Sequence, residues 1–273
     1  MVDLPQEQTL IKRNNILNMV ILENEDKTKN LLTADTLKIY NFIYLAFQYN
    51  RKEIEKSKDY ELIFSHQKLK SELGVTDNNY ITTINKSLEL LRITPFSIKN
   101  FKVGRKIIKE HTTGLISSYS DYINEDTKEK MFMISIDKTL FNEMMKTDAG
   151  YTELHLKNIK SLSTINHIRL YEFVKSNQNM KIIPSLTINQ LNNLFMTDYT
   201  KQWELEAIIK RATKAINKKT DINISYSKDK RNKTISFIID KVKQTTEERK
   251  KQVFATNKTI EESNLINKMM GDK

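Results

Sequence analysis

Between Lys210 and Lys233 nine side chains are cationic: Lys210, Arg211, Lys214, Lys218, Lys219, Lys228, Lys230, Arg231 and Lys233. Asp221 and Asp229 are the only acids in that span, so nine cations against two anions leave a net charge of +7. Ammonium and guanidinium groups at this density displace the counterions of a polyanion. In a groove they also donate to the O6 and N7 of guanine. The stretch "IIKRATKAINKKTDINISYSKDKRNKTISFIID" reads as an amphipathic helix feeding a hairpin, and the hairpin's turn, "SKDKRNK", is itself basic.

Steps of 100° divide the helix expected from Lys201 to Lys219 into two sides. Leu205, Ile208, Ile209, Ala212, Ala215 and Ile216 pack inward, while Trp203, Ala207, Lys210, Arg211, Lys214, Asn217 and Lys218 face the other way. A small residue among cations, an amide and an aromatic suits close approach to a duplex, where Asn can pair with adenine. Trp203 admits a second placement, packed on the preceding helix. The turn would lie as a wing over flanking backbone, with Lys228, Lys230, Arg231 and Lys233 within reach of phosphate. Lys218 and Lys219 also suit the helix dipole, and lone basic residues on turns are often only solvated. The agreement of sign, spacing and wing is what points to nucleic acid. Arg169 is a contrasting case. It falls on the apolar side of its helix beside Ile165 and Phe173, which predicts a buried structural residue paired with Glu172 or Glu153. The segment "IRLYEF", with Arg169, Tyr171 and Glu172, is accordingly read as architectural.

The whole chain carries +11 over 273 residues, with a pI near 9.4. An AT-rich genome also raises Lys, Asn and Ile, so the placement of the charge matters more than its total. The length favours two domains, and 38% hydrophobic residues support real cores. Five Gly and three Pro favour helices joined by short turns over a loop-rich sandwich. The absence of Cys excludes disulfides, thiolate metal sites and thiol catalysis, and accords with a reducing cytosol. No apolar run approaches the roughly 20 residues of a membrane span, and "MVDLPQEQTLIKRNN" lacks the apolar core of a secretory signal. A cytoplasmic protein with no membrane partner is expected.

Chemistry is conspicuous by what is missing. Gly74, Gly104, Gly114, Gly150 and Gly271 are too scattered for a phosphate loop or a dinucleotide-binding turn. His66, His111, His155 and His167 form no H-x-H or H-E-x-x-H pair, so no metal site is expected. No Ser/His/Asp arrangement stands out. The expectation is a non-enzyme without cofactors.

Along the chain, "ILNMVIL" (Ile16 to Leu22) is a strand candidate. A helix follows with Thr33 as N-cap through Tyr49, its core stripe being Leu37, Tyr40, Tyr44 and Phe47. "NRKEIEKSKD" reads as a charged loop, "YELIFS" as a strand and "HQKLKSELGV" as a helix stopped by Gly74. A third helix covers "TDNNYITTINKSLELLRI", capped by Thr76 or Asp77. It buries Ile81, Ile84, Leu88 and Leu91 and turns Asn79, Thr82, Thr83 and Lys86 away. Strands follow in "PFSIKNFKV", "RKIIKE", "TGLISSYSDYI" and "KMFMISI", the first turn carrying Lys102, Arg105 and Lys106. Helix, turn, helix and basic meander make a winged helix-turn-helix. The order repeats in "SLSTINHIRLYEFVKS", "SLTINQLNNLFM" and "KQWELEAIIKRATKAINKKT", closed by the hairpin of "DINISYS" and "KTISFIID". The fold class is therefore α+β, with two tandem winged-helix domains in a pseudo-twofold arrangement. The expected boundaries are 1–147, 148–243 and a mobile polar tail over 244–273.

These residues resemble the iteron-binding plasmid replication initiators, a family of tandem winged-helix Rep proteins. The resemblance rests on "YTELHLKNIKSLSTINHIRLYEFVKS" and on "IIKRATKAINKKTDINISYS", with its A-x-x-x-I-N pattern followed by Asp-Ile, and spans roughly residues 10–240. One departure is the second hairpin's turn, where the family commonly has Gly-Arg and this chain has no Gly. The resemblance implies binding of direct repeats at a plasmid origin in a bacterial cell, opening of an AT-rich segment and recruitment of host replication proteins (initiator and helicase). It also implies a homodimer in equilibrium with monomer, which binds a promoter inverted repeat and represses its own gene, with the first winged helix as dimer interface. A tandem winged-helix transcriptional regulator would share the DNA surface, and a nicking-type replication enzyme is a further alternative.

Overall fold

The computed structural model describes residues 10–14, 32–73, 80–103, 105–146, 151–180, 183–229 and 231–242. The strand expected over Ile16–Leu22, the caps Thr76 and Asp77, Asn79, Lys230 and the tail from 244 lie outside the described residues.

The first long helix, α1 (Ala34–Tyr49), starts where its cap is: the Thr33 hydroxyl accepts from the Thr36 amide at 3.1 Å. Its expected stripe is fully buried, and so are Phe42, Ile43 and Ala46 on other sides, which makes α1 the central rod of the core. The next stretch corrects the sequence reading. "RKEIEKS" is helical, α2 (Arg51–Ser57), not a loop. Only Ile54 of it is buried, so no apolar period announces it, and an Arg51–Glu55 pair at 2.7 Å spans one turn of its surface. Strand β2 (Glu61–Ser65), helix α3 (His66–Leu73) and helix α4 (Tyr80–Ile93) follow. Ile84, Leu88 and Leu91 of α4 are buried, and Ile81 is half-buried.

Strands β3 (Pro95–Val103) and β4 (Lys106–Gly114) form a two-stranded antiparallel ribbon. Strands β5 (Ser118–Ile123) and β6 (Lys130–Ser135) join β2 in a sheet ordered β2-β6-β5. Gly114 sits where a Cβ would lie 2.2 Å from the Arg92 carbonyl oxygen, so only glycine lets the ribbon close on the end of α4. An unforeseen helix, α5 (Lys138–Met145), is started by the Asp137 carboxylate, which accepts from the amides of Thr139 and Leu140.

The second half begins with a pairing across the chain. Strand β1 (Leu10–Asn14) runs antiparallel to β7 (Tyr151–His155), from Leu10 opposite His155 to Asn14 opposite Tyr151. The helix read from Ser161 begins only at Ile165, as α7 (Ile165–Ser176) capped by Thr164, and a separate short helix, α6 (Leu156–Ser161), precedes it. Strand β8 (Leu186–Thr187) precedes α8 (Ile188–Phe195), which a capping box of Thr187 and Gln190 initiates. Helix α9 (Gln202–Lys219) and strands β9 (Ile222–Asp229) and β10 (Thr234–Val242) complete the unit, with sheet order β8-β10-β9. Ile222, Ile224, Ile235 and Phe237 line the buried face of this sheet, flanked by half-buried Tyr226 and Ile239. One continuous apolar core runs from Ile11 to Phe237, and the buried Asn41 amide of α1 donates to Glu172 of α7 at 3.1 Å.

A buried polar cluster orients this second unit. Asp221, between α9 and β9, accepts from Lys175 Nζ at 3.0 Å, from the Tyr171 hydroxyl at 2.9 Å and from Asn158 Nδ2 at 2.8 Å. Burial, then the Asp221 charge, pushes the Tyr171 phenol well above its ordinary range, so it stays a donor. Arg169 is buried too, and its Nε donates to the Leu194 carbonyl at the end of α8 at 2.5 Å. Glu172, one of the two acids expected near it, accepts from the Asn41 amide at 3.1 Å. Removing one partner of a buried pair strands the other charge. Asp221→Ala is expected to cost about 3–5 kcal/mol in urea unfolding, and Lys175→Met with Asp221→Leu should lose much less.

Candidate nucleic-acid interface

Helices α7, α8 and α9 form the second helix-turn-helix. The turn is templated by a side chain: Asn192 Oδ1 accepts from the Thr197 hydroxyl and the Tyr199 amide, and Nδ2 donates to the Tyr199 carbonyl at 2.7 Å. Met196 takes the left-handed conformation at φ 55°, which ends α8 and reverses the chain. Leu205, Ile208, Ile209, Ala212 and Ile216 anchor α9 in the core. Its opposite side carries Trp203, Ala207, Lys210, Arg211, Lys214 and Lys218, all exposed. Trp203 is 63% exposed, which removes the packed placement.

Asn217, expected on this face, is half-buried and bonded to the hairpin. Its Nδ2 donates to the Ile224 carbonyl at 2.9 Å, and its Oδ1 accepts from the Ile224 amide at 2.7 Å. The amide fastens α9 to β9 through both of its polar atoms. A helical wheel could not reveal this, because the strand that occupies the amide arrives seven residues later.

The wing turn folds without glycine. Asp229 Oδ1 accepts from the amides of Arg231 and Asn232, and Oδ2 accepts from Asn232 Nδ2 at 2.8 Å. Those donors hold its carboxyl below the usual range. Lys233 then supplies the positive φ, 51°, that a glycine would otherwise provide. Arg231 and Lys233 are exposed at this tip, and Lys228 is ion-paired with Glu206 of α9, so wing and helix are clipped together.

In the first unit Thr82 and Lys86 are exposed on α4 and Thr83 is half-exposed. Arg105 and Lys106 stand exposed at the tip of the β3–β4 ribbon, whose register pairs Lys102 with Ile107; the Lys102 side chain is outside the described residues. The neighbouring β5–β6 turn is acidic, with Glu125, Asp126 and Glu129, so the ribbon is the hairpin of this unit whose charge suits phosphate. The sequence reading missed two interactions that shape the same face. The His66 imidazole stacks on Phe132 and meets Asp121 at 2.9 Å, and Asn85 of α4 donates to the same carboxylate. Thus α3, α4 and β5 are joined behind the face.

His167, in the first turn of α7, lies in the field of Arg211 and Lys219. Burial first, then these cations, lowers its basicity below the ordinary imidazole value of 6.5. No His/Cys/Asp/Glu group among the described residues could hold a metal, and no helix there is long and apolar enough to cross a membrane.

Two helix-turn-helix units, each with a basic hairpin beside its third helix, define a tandem winged-helix protein of the DNA-binding class. The chain belongs to the initiator replication protein family, whose first winged-helix segment, "Initiator Replication protein, WH1", matches residues 10–175. The segment "Initiator Rep protein, WH2" matches residues 187–239. No curated protein matches it. Among solved structures, two of RctB domains 2 and 3 are similar at TM-scores of 0.46 and 0.44 and 13% identity, over 78% of this chain and 84% and 83% of theirs.

The His167 shift has a definite sign. The folded state binds this proton more weakly than the unfolded chain, so the group's contribution is intact above pH 6.5 and is lost as pH falls toward the lowered folded value. Thermal midpoints measured from pH 7.5 to 5 should fall, and His167→Gln should flatten that part of the profile.

Proposed function

We propose that the chain initiates replication at a plasmid origin by docking both helix-turn-helix units on direct repeats, with no chemical step of its own. The observation that carries this reading is the α9 face. Lys210, Arg211, Lys214 and Lys218 share one exposed side with no carboxylate among them, continued by the wing cations Arg231 and Lys233. Phosphate contacts from these cations would set register, and α9 would lie in a major groove. In the first unit Thr82, Thr83, Lys86, Arg105 and Lys106 would meet the next groove. Bound phosphate beside Arg211 and Lys219 would also relieve the field on His167. A homodimer in equilibrium with monomer, repression at an inverted repeat, recruitment of a host initiator and helicase, and work in the bacterial cytoplasm complete the proposal. They rest on the resemblance of "IRLYE" and "A-x-x-x-I-N" to iteron-binding initiators.

Footprinting on DNA flanking the gene should give evenly spaced protections of about two turns each, roughly 20 bp, beside an AT-rich stretch. A single symmetric protection at the promoter would assign the protein to transcriptional control instead. Replacing Lys210 and Lys214 by Ala should flatten the slope of log K against log salt by about 0.9 for each phosphate no longer neutralised. An unchanged slope would return both residues to plain solvation.

A further inference from the structure

The two ends of α9 differ in chemistry. Its cations sit from Lys210 onward, while the outward groups of the first two turns are the Trp203 indole and, four residues on, Ala207. The two acids of this region are both engaged within the chain. Glu204 turns back to accept from the Lys201 amide at 3.3 Å, and Glu206 is paired with Lys228. Beyond the exposed N-cap Lys201, the outward side of the first two turns is an apolar pair one turn apart. Its indole is 63% exposed, although the core shared by α7, α8 and α9 lies on the opposite face of the helix.

Resting on the DNA-docking reading, we propose that Trp203 and Ala207 read the C5-methyl groups of thymines in the recognised site. The leading residues of a groove-docked recognition helix are those that meet base edges. In the major groove the apolar feature of those edges is the thymine methyl. Ala207 is short enough to let the backbone approach, and the flat indole beside it covers a methyl without needing a hydrogen-bond partner from the base. The division of labour follows: the apolar leading end specifies thymine, and Lys210, Arg211, Lys214 and Lys218 hold the backbone. Trp203 is thereby a specificity-determining residue.

The test measures affinity of the full chain for its footprinted site with each thymine replaced in turn by deoxyuridine. That replacement keeps every hydrogen-bonding group and removes only the methyl. Wild-type protein is expected to lose about three- to tenfold at one or two positions per repeat, as burial of one methyl implies. Trp203→Ala should bind thymine and uracil equally at one such position, and Trp203→Phe should keep part of the preference. Circular dichroism should be unchanged, since the indole lies outside the core. Specific binding in which every uracil substitution stays within twofold would overturn methyl reading and leave DNA docking standing. Full thymine preference in Trp203→Ala would overturn the role of Trp203. Failure to find any specific site would instead overturn the docking reading itself, and this inference with it.

Discussion

The carboxylate of Asp221 is buried where α9 ends and β9 begins, and three donors from α6 and α7 converge on it. A charge in that position is tolerated only because Lys175 neutralises it and Tyr171 and Asn158 fill its remaining acceptor sites. The geometric consequence is larger than the energetic one. The direction of the exposed helix and the start of its wing are both set against α7. Helix α7 is in turn held to the first unit through Glu172 and Asn41 and to α8 through Arg169 and the Leu194 carbonyl. A shift at Asp221 would therefore reach every side chain of the basic face.

Around that anchor most of the structural bonds are made by short polar side chains, and the cations of α9 lie on its exposed side. Asn217 stitches α9 to β9, Asp229 organises the wing turn, and Asn192 shapes the bend before α9. Each is a short polar side chain satisfying backbone groups that would otherwise be unpaired. The long basic side chains lie on the far side of the helix, and those near its end also complement the dipole. The acids of α9 are retained within the protein, one as a cap and one as a clip to the wing. Structural polarity and surface charge are thus carried largely by different residues, with Lys228 and Lys219 serving both.

The two units share an order of elements but not a charge pattern. In the second, a basic wing follows an eighteen-residue basic helix; in the first, a shorter helix precedes a basic ribbon and an acidic turn. Because β1 pairs with β7 and one core spans both halves, the units are not beads on a linker. The spacing between the two exposed faces is a property of packed helices and strands.

Sequence periodicity by itself determined α1, α4, α9 and the last hairpin. Their apolar residues recur at 3.6 or 2 over many positions, and Thr33 marks a start by local chemistry alone. The Lys and Arg faces were legible for the same reason: exposure of a cation opposite an apolar stripe needs no knowledge of the rest of the fold. Tertiary structure alone decided the remainder. Helix α2 buries one residue and so has no period to read, and β1 is defined by a partner nearly 140 residues away in sequence. Arg169 could be foreseen as buried, but not that its Nε would donate to a backbone carbonyl on α8. Asn217 and Trp203 make the limit plainest. Both lie on the polar side of one wheel, yet a returning strand claims the amide while the indole stays 63% exposed, because what a side chain touches depends on which distant segment folds against it.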